Sequence, residues 1–137
     1  PGLYLTDDTT NPNTLVVVMN TYDEVIEEVE IPNIPINKWI NVVIRVQNRV
    51  LDVYINGSIA VRHKFTSVPK QNYGDVYINM NGGFSGQISS LQYFNRALSG
   101  VEIQSGNSSG PNMTTDQSMH IFPPYFSLKW YFGSQNK

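Results

Sequence analysis

Between Ile40 and Val61 the chain alternates apolar and polar residues with a period of two, broken by turn residues at two places. Only an extended strand puts every second side chain on one face. Ile40, Val42, Ile44 and Val46 alternate with Asn41, Val43 and Arg45, and Gln47-Asn48-Arg49 reads as a short turn. Leu51, Val53 and Ile55 then alternate with Asp52 and Tyr54. Asn56-Gly57 follows, the dipeptide best suited to the two positive φ angles of a type I′ hairpin turn. Ile59 and Val61 continue on its far side. Three antiparallel strands so close together form a meander.

Composition points the same way. The chain holds 14 Val and 12 Ile against 7 Leu and 2 Ala, and β-branched residues suit pleated, half-buried strands better than helices. Further strands are expected at residues 3–5, at the apolar run 15–19 and from Val25, where Val25, Glu27, Val29 and Ile31 share one face and Ile26, Glu28 and Glu30 the other. Residues 21–24 read as a turn, and Pro32 and Pro35 limit pairing beyond Ile31. Val76, Ile78 and Met80 predict another strand, and residues 84–94 one that bends near Ser89-Ser90. Ser99-Gly100-Val101-Glu102 has capping-box spacing and predicts one helical turn. Residues 105–119 are polar and read as a loop or linker. Residues 125–132 return to a strand pattern, with Phe126, Leu128 and Trp130 on one side.

Several function classes are excluded at this level. With 9 Lys and Arg against 11 Asp and Glu, the net charge is −2, so a nucleic-acid partner is not expected. No apolar run approaches the ~20 residues that cross a bilayer, so membrane insertion is not expected either. The absence of cysteine removes disulfides, thiolate metal sites and a Cys nucleophile. The 137 residues correspond to one domain. The chain opens on Pro1 rather than Met, as a processed product or a fragment would. The 15 Asn residues fit turn chemistry, a polar recognition surface or an AT-rich coding genome alike.

Residues 34–104 resemble a laminin-G-like domain of the concanavalin A-like lectin/glucanase superfamily. The resemblance is carried by an ordered series: Lys38-Trp39-Ile40-Asn41, Tyr54-Ile55-Asn56-Gly57, Phe84-Ser85-Gly86-Gln87-Ile88 and Tyr93-Phe94-Asn95-Arg96-Ala97-Leu98-Ser99, closing on Glu102-Ile103. The Pro-Gly-Leu-Tyr-Leu opening and the Asn-Ile-Pro stretch resemble versions found in large DNA viruses of algae and protists. The resemblance implies an all-β fold, an antiparallel two-sheet β-sandwich of jelly-roll type. Residues 1–104 would form the sandwich, and residues 120–137 would add a strand to the same domain. Trp39 would plug one end, Phe84 and Ile88 would face the core, and Gly86 between them would permit close backbone approach. The family has another strand or two before the point where this chain begins. Either the chain is cut at its front or the strand at 126–132 fills that place. An extracellular surface or a virion is the setting this implies.

The glucanases of the superfamily cleave with two glutamates in a Glu-x-Asp-x-x-Glu arrangement, close together on one strand face. The acidic cluster Asp23-Glu24 to Glu27-Glu28-Val29-Glu30 does not match it. Glu28 and Glu30 share a face, but a charged strand face also discourages edge-to-edge pairing. His63 lies beside Arg62 and Lys64 and reads as exposed and structural; His120 lies in the tail. Two isolated histidines do not supply a zinc site, and no Gly-x-Ser-x-Gly is present. No enzyme activity is expected. The candidate sugar contacts are Tyr54, Tyr77 and Asn79, on the polar side of predicted strands. No cofactor is required, although Asp7, Asp8 and Asn11 form a loop that could ligate calcium, the alternative being ordinary turn chemistry. Asn56, Asn107 and Asn112 each begin a glycosylation acceptor sequence, and Asn56 is better explained by its turn. The expected function is non-catalytic recognition of a glycan or a protein surface, within a larger protein. The alternative is a structural module of a virion or surface assembly, packed against neighbouring domains or capsid proteins. A glycoside hydrolase ranks third.

Overall fold

A computed structural model describes residues 1–6 and 12–113. Two antiparallel three-stranded sheets face one another. The first is β1 (Gly2–Leu5), β2 (Leu15–Met19) and β3 (Glu27–Ile31), and the second is β4 (Val42–Gln47), β5 (Val50–Ile55) and β6 (Ser58–Lys64). Within each sheet the strands lie side by side in chain order. The core lies between the sheets. Leu15, Val17 and Met19 of β2 and Val29 and Ile31 of β3 meet Leu51 and Val53 of β5, with Ile34 and Phe65 completing the cluster. Ile40, Val42, Ile44, Val46, Ile55 and Val61 pack against it half-buried. These are the alternate positions expected to point inward, and burying each Val, Leu or Ile side chain is worth about 1.5–3 kcal/mol.

Left-handed turn positions account for part of the asparagine. Asn56 and Gly57 both take positive φ, 51° and 79°, as a type I′ turn requires. Asn41 N–H donates to the Asn56 side-chain oxygen at 2.9 Å, and Asn56 N–H to the Asn41 carbonyl at 2.8 Å. Asn13, Asn33, Asn37, Asn48 and Asn79 are left-handed as well, a conformation Asn tolerates better than other residues with a side chain. Gly57→Ala is expected to cost about 1–2 kcal/mol, because a Cβ there is strained at positive φ. It would also displace the Gln104 amide, which donates to the Gly57 carbonyl at 2.7 Å. A thermal melt that leaves the variant level with the wild type would remove this account of the turn.

A bulge between β5 and β6 corrects one sequence expectation. Ile55 pairs with Ser58 and Tyr54 with Ile59, but Val53 pairs with Val61, leaving Ala60 without an opposite residue. The extra residue separates Ile59 from Val61. Val61 faces the core, whereas Ile59 is exposed on the far side.

Other expectations fail for identifiable reasons. Trp39 does not plug the sandwich: it precedes β4, is 40% exposed, and leaves Ile40 to pack against the core. No strand forms at Val76, Ile78 and Met80, nor across residues 84–94. A strand needs a paired ladder and a covered face. Here Asn79 (φ 57°) and Ser90 (φ 54°) turn left-handed, and Val76, Ile78, Phe84, Ile88 and Leu91 are exposed. Met80–Gly82 instead makes a short 3-10 turn. Phe84 and Ile88 therefore do not face the core, and the close approach that Gly86 permits is to the Phe84 ring, not to a strand.

The Ser99 capping box forms. Its hydroxyl accepts from Glu102 N–H, and the Glu102 carboxylate accepts from Ser99 N–H at 2.8 Å. The bonds from Arg96 and Ser99 hold the Glu102 carboxyl down at about 2. The helix continues beyond the single turn expected, as α1 (Gly100–Ser109), so the loop predicted from Ser105 starts only at Gly110. The tail strand expected at 125–132 lies outside the described residues, as does His120.

Candidate functional site

Strand alternation sends Leu51 and Val53 into the core and therefore Asp52 and Tyr54 to the opposite face of the second sheet. On that face the register sets Arg45 opposite Asp52 and Asp52 opposite Arg62. The bulge is what completes the row. An unbroken ladder from Ile55–Ser58 would have placed Val61 opposite Asp52 and turned Arg62 toward the core side with Leu51.

Asp52 is only 1% exposed although it carries a charge. A buried carboxylate is tolerated when it is paired and fully hydrogen-bonded. Arg62 donates through Nε to Oδ1 at 2.6 Å and through Nη2 to Oδ2 at 3.1 Å. Arg45 donates through Nη1 to Oδ2 at 2.9 Å. The bonds from Arg62 are the main reason the Asp52 carboxyl lies below the usual carboxylate range, with Arg45 adding to them against the opposing effect of burial. Arg45 also donates through Nε to the Leu98 carbonyl at 2.9 Å and through Nη2 to the Gln47 side chain. Together with the Gln104–Gly57 bond this fastens the segment leading into α1 onto the same sheet. Beside the row lies a shallow depression of about 300 Å³ lined by Arg45, Gln47, Asn48, Val50, Asp52 and Arg62.

A second charged cluster joins the two sheets. Glu27 of β3 lies 2.9 Å from His63 Nε2 of β6 and accepts from Thr66 N–H at 3.1 Å and from the Thr66 hydroxyl at 3.0 Å. The His63 ring meets Phe65 edge-on at 5.4 Å. His63 is thus half-buried and engaged, not the exposed residue its neighbours Arg62 and Lys64 suggested. Burial pushes the Glu27 carboxyl up, but the bonds from His63 and Thr66 outweigh it and leave the group below its ordinary value. A carboxyl lowered on folding adds stability above its unfolded pKa, and that stability disappears as pH falls through the folded value. Glu27→Gln is therefore expected to lower stability at pH 7 and to reduce the loss seen on acidification below the ordinary carboxylate value of 4.5. Urea unfolding at pH 7 and pH 3 reads both effects. An unchanged acid limb would mean that Glu27 does not join the sheets. Asp52 and Glu102, lowered likewise, leave a residual slope of the same sign.

The sequence candidates are distributed over different elements. Tyr54 lies half-buried on the Asp52 face of β5, opposite Val43 and Ile59. Tyr77 is exposed in the irregular stretch before the 3-10 turn, and Asn79 caps that turn. No hydrogen bond joins the three. Asp7, Asp8 and Asn11 lie outside the described residues. Among the described residues no three His, Cys, Asp or Glu side chains converge as a metal site, and no helix is long and apolar enough to cross a membrane. Glu28 and Glu30 are exposed on β3, and Tyr4 OH donates to Glu28 at 3.3 Å. Arg45, Asp52 and Arg62 escaped sequence reading because their meeting is a matter of register.

Comparison with known proteins decides the family. The family model for Laminin_G_3, of the concanavalin A-like lectin/glucanases superfamily, matches residues 3–104. The chain belongs to this family. The Laminin_G_3 match takes in both sheets and the first turn of α1, and so includes the whole Arg45–Asp52–Arg62 row. Among solved structures, the crystal structure of an S-layer domain-containing protein (residues 221–444) from Clostridium thermocellum is similar at 17% identity, with a TM-score of 0.43. The alignment covers 77% of this chain and 61% of that one, so the chain spans about three fifths of that structure. No curated protein matches the chain.

Proposed function

We propose that this Laminin_G_3 domain is a non-catalytic recognition module, and that the outer face of β4–β6 is its ligand face. The observation that carries the reading is the state of Asp52. The carboxylate at the centre of the row is held ionised and occupied by two arginines, which suits a fixed binding surface and not proton transfer. Glu28 and Glu30, which share a strand face, lie exposed on β3. Tyr54 shares the proposed face and offers an aromatic ring with a hydroxyl, a combination suited to a saccharide. The reading needs no metal; calcium held by Asp7, Asp8 and Asn11 would be an addition to it.

A glycan array with the intact chain tests the proposal. Binding that weakens in Tyr54→Ala and persists in the presence of a chelator is expected. Hydrolysis of a β-glucan that is lost in Glu28→Gln would replace recognition with catalysis.

A second reading is favoured by a different observation. Val76, Ile78, Met80, Phe84, Ile88 and Leu91 are all exposed along residues 76–91, and apolar surface of that extent is ordinarily covered by a partner. A structural module of a surface assembly or a virion, packed against neighbours, would cover it. Assembly into large particles in sedimentation, with an array showing no glycan binding, would favour this reading.

A further inference from the structure

Most of the side-chain groups around the depression that are free to bond are donors, the exception being the Asn48 amide, which also offers an acceptor oxygen. Asp52 supplies the only carboxylate, and both its oxygens are taken. The Gln47 side-chain oxygen is taken by Arg45, which leaves the amide N–H groups of Gln47 free. All three nitrogens of Arg45 are engaged, with Leu98, Asp52 and Gln47. Arg62 differs. It meets Asp52 side-on through Nε and Nη2, so the end-on edge formed by Nη1 and Nη2 keeps unused N–H groups while the guanidinium is held in place. Its side chain is 62% exposed. Lys64, two residues further along β6 and opposite Val50, adds an exposed ammonium to the same face. The face therefore carries three cations and one anion, Arg45, Arg62 and Lys64 against Asp52, on a chain whose net charge is −2.

We infer that the depression beside Arg62 binds a saccharide bearing a carboxylate, as a uronic or sialic acid does, with the end-on edge of Arg62 taking both carboxylate oxygens. This rests on the recognition reading above and supplies its ligand class. Neutral sugar hydroxyls both donate and accept, and a lining made mostly of donors offers their hydrogens few acceptors beyond the Asn48 amide oxygen. A carboxylate only accepts, and its two coplanar oxygens match a guanidinium edge. One preorganised fork with one lysine suits a single planar anion. A densely sulfated polymer is attracted by a broader basic surface than the three cations of this face, one of them already paired with Asp52 and Gln47, provide.

The test is calorimetric titration of the intact chain with oligogalacturonate, with its methyl ester, and with a sulfated heparin oligosaccharide. The acid is expected to bind at least about tenfold more tightly than the ester, and Arg62→Lys to erase about that same factor because lysine keeps the charge but loses the fork. A melting curve of Arg62→Lys close to that of the wild type shows that Asp52 still has its partner, so the loss belongs to the ligand and not to the fold. Equal binding of acid and ester, or undiminished binding by Arg62→Lys, overturns the carboxylate inference and leaves glycan recognition standing. Preference for the sulfated oligosaccharide overturns it in the same way. No binding of any of the three, together with an empty glycan array, removes the recognition reading itself.

Discussion

Asp52→Ala is expected to destabilise the domain by about 2–4 kcal/mol, since removing one partner of a buried charge pair leaves the other without its counter-ion. The cost falls mainly on Arg45, whose side chain is 22% exposed and cannot fully rehydrate, while Arg62 turns to solvent. Arg62→Ala should cost far less, because Asp52 keeps Arg45 and an exposed pair is worth about 0–1 kcal/mol. The inequality is the test. Urea unfolding that shows both variants equally destabilised would mean that Arg62, and not the buried carboxylate, organises the row. Asp52→Ala also loosens Arg45 from Leu98, so the helical segment should lose amide-exchange protection ahead of the rest of the fold.

Phe65→Ala carries the largest expected loss, about 3–5 kcal/mol for a large aromatic removed from a closed core. Phe65 is 1% exposed and lies just beyond β6, with its N–H bonded to the Arg49 carbonyl at 2.8 Å and its own carbonyl accepting from Arg49 Nη2 at 3.0 Å. Its backbone is therefore fixed, and the core is slow to collapse around a cavity there. The ring also supports His63 edge-on, so the alanine variant should weaken the Glu27 cluster between the sheets. A double-mutant cycle of Phe65→Ala with Glu27→Gln should show a coupling of about 0.5 kcal/mol or more, as residues sharing a network do. Strict additivity would separate the ring from the cluster.

The parts of the fold readable in advance are those set by neighbours in the chain. The meander followed from alternation at Ile40–Val46 and Leu51–Ile55 and from the backbone demands of Asn56-Gly57. The inward pair Val29 and Ile31 of β3 followed from the same period, whereas β2 was legible only as an apolar run. What escaped depended on contacts between elements. Val76, Ile78 and Met80 alternate as well as Leu51, Val53 and Ile55 do, but periodicity reports a pattern and not the presence of a neighbouring strand. Asp52 sits at a position that alternation marks as outward and polar, so its burial came into view only with the guanidiniums on either side. The turn closes on two residues, Asn48-Arg49, and so places Arg45 opposite Asp52, where the three-residue turn read from the sequence would shift that pairing by one. Arg62 was out of reach as well, since simple counting from Asn56-Gly57 puts it opposite Leu51. Of the proposed ligand contacts, Tyr54 lies on the face now argued for, whereas Tyr77 and Asn79 lie on a different part of the chain.

The bulge at Ala60 has a further consequence for how the chain tolerates changes of length. Deleting Ala60 would leave Ile59 opposite Tyr54, Val61 opposite Val53 and Arg62 opposite Asp52, because Ala60 has no cross-strand partner to lose. Deleting Val61 would bring Ala60 opposite Val53 and leave Arg62, His63 and Lys64 in register, at the cost of one core-facing valine, and deleting Arg62 would set Val61 opposite Asp52 with His63 and Lys64 still in place. The extra residue thus lets β6 absorb a single deletion without inverting the strand beyond it, and the side chain lost decides what the deletion costs.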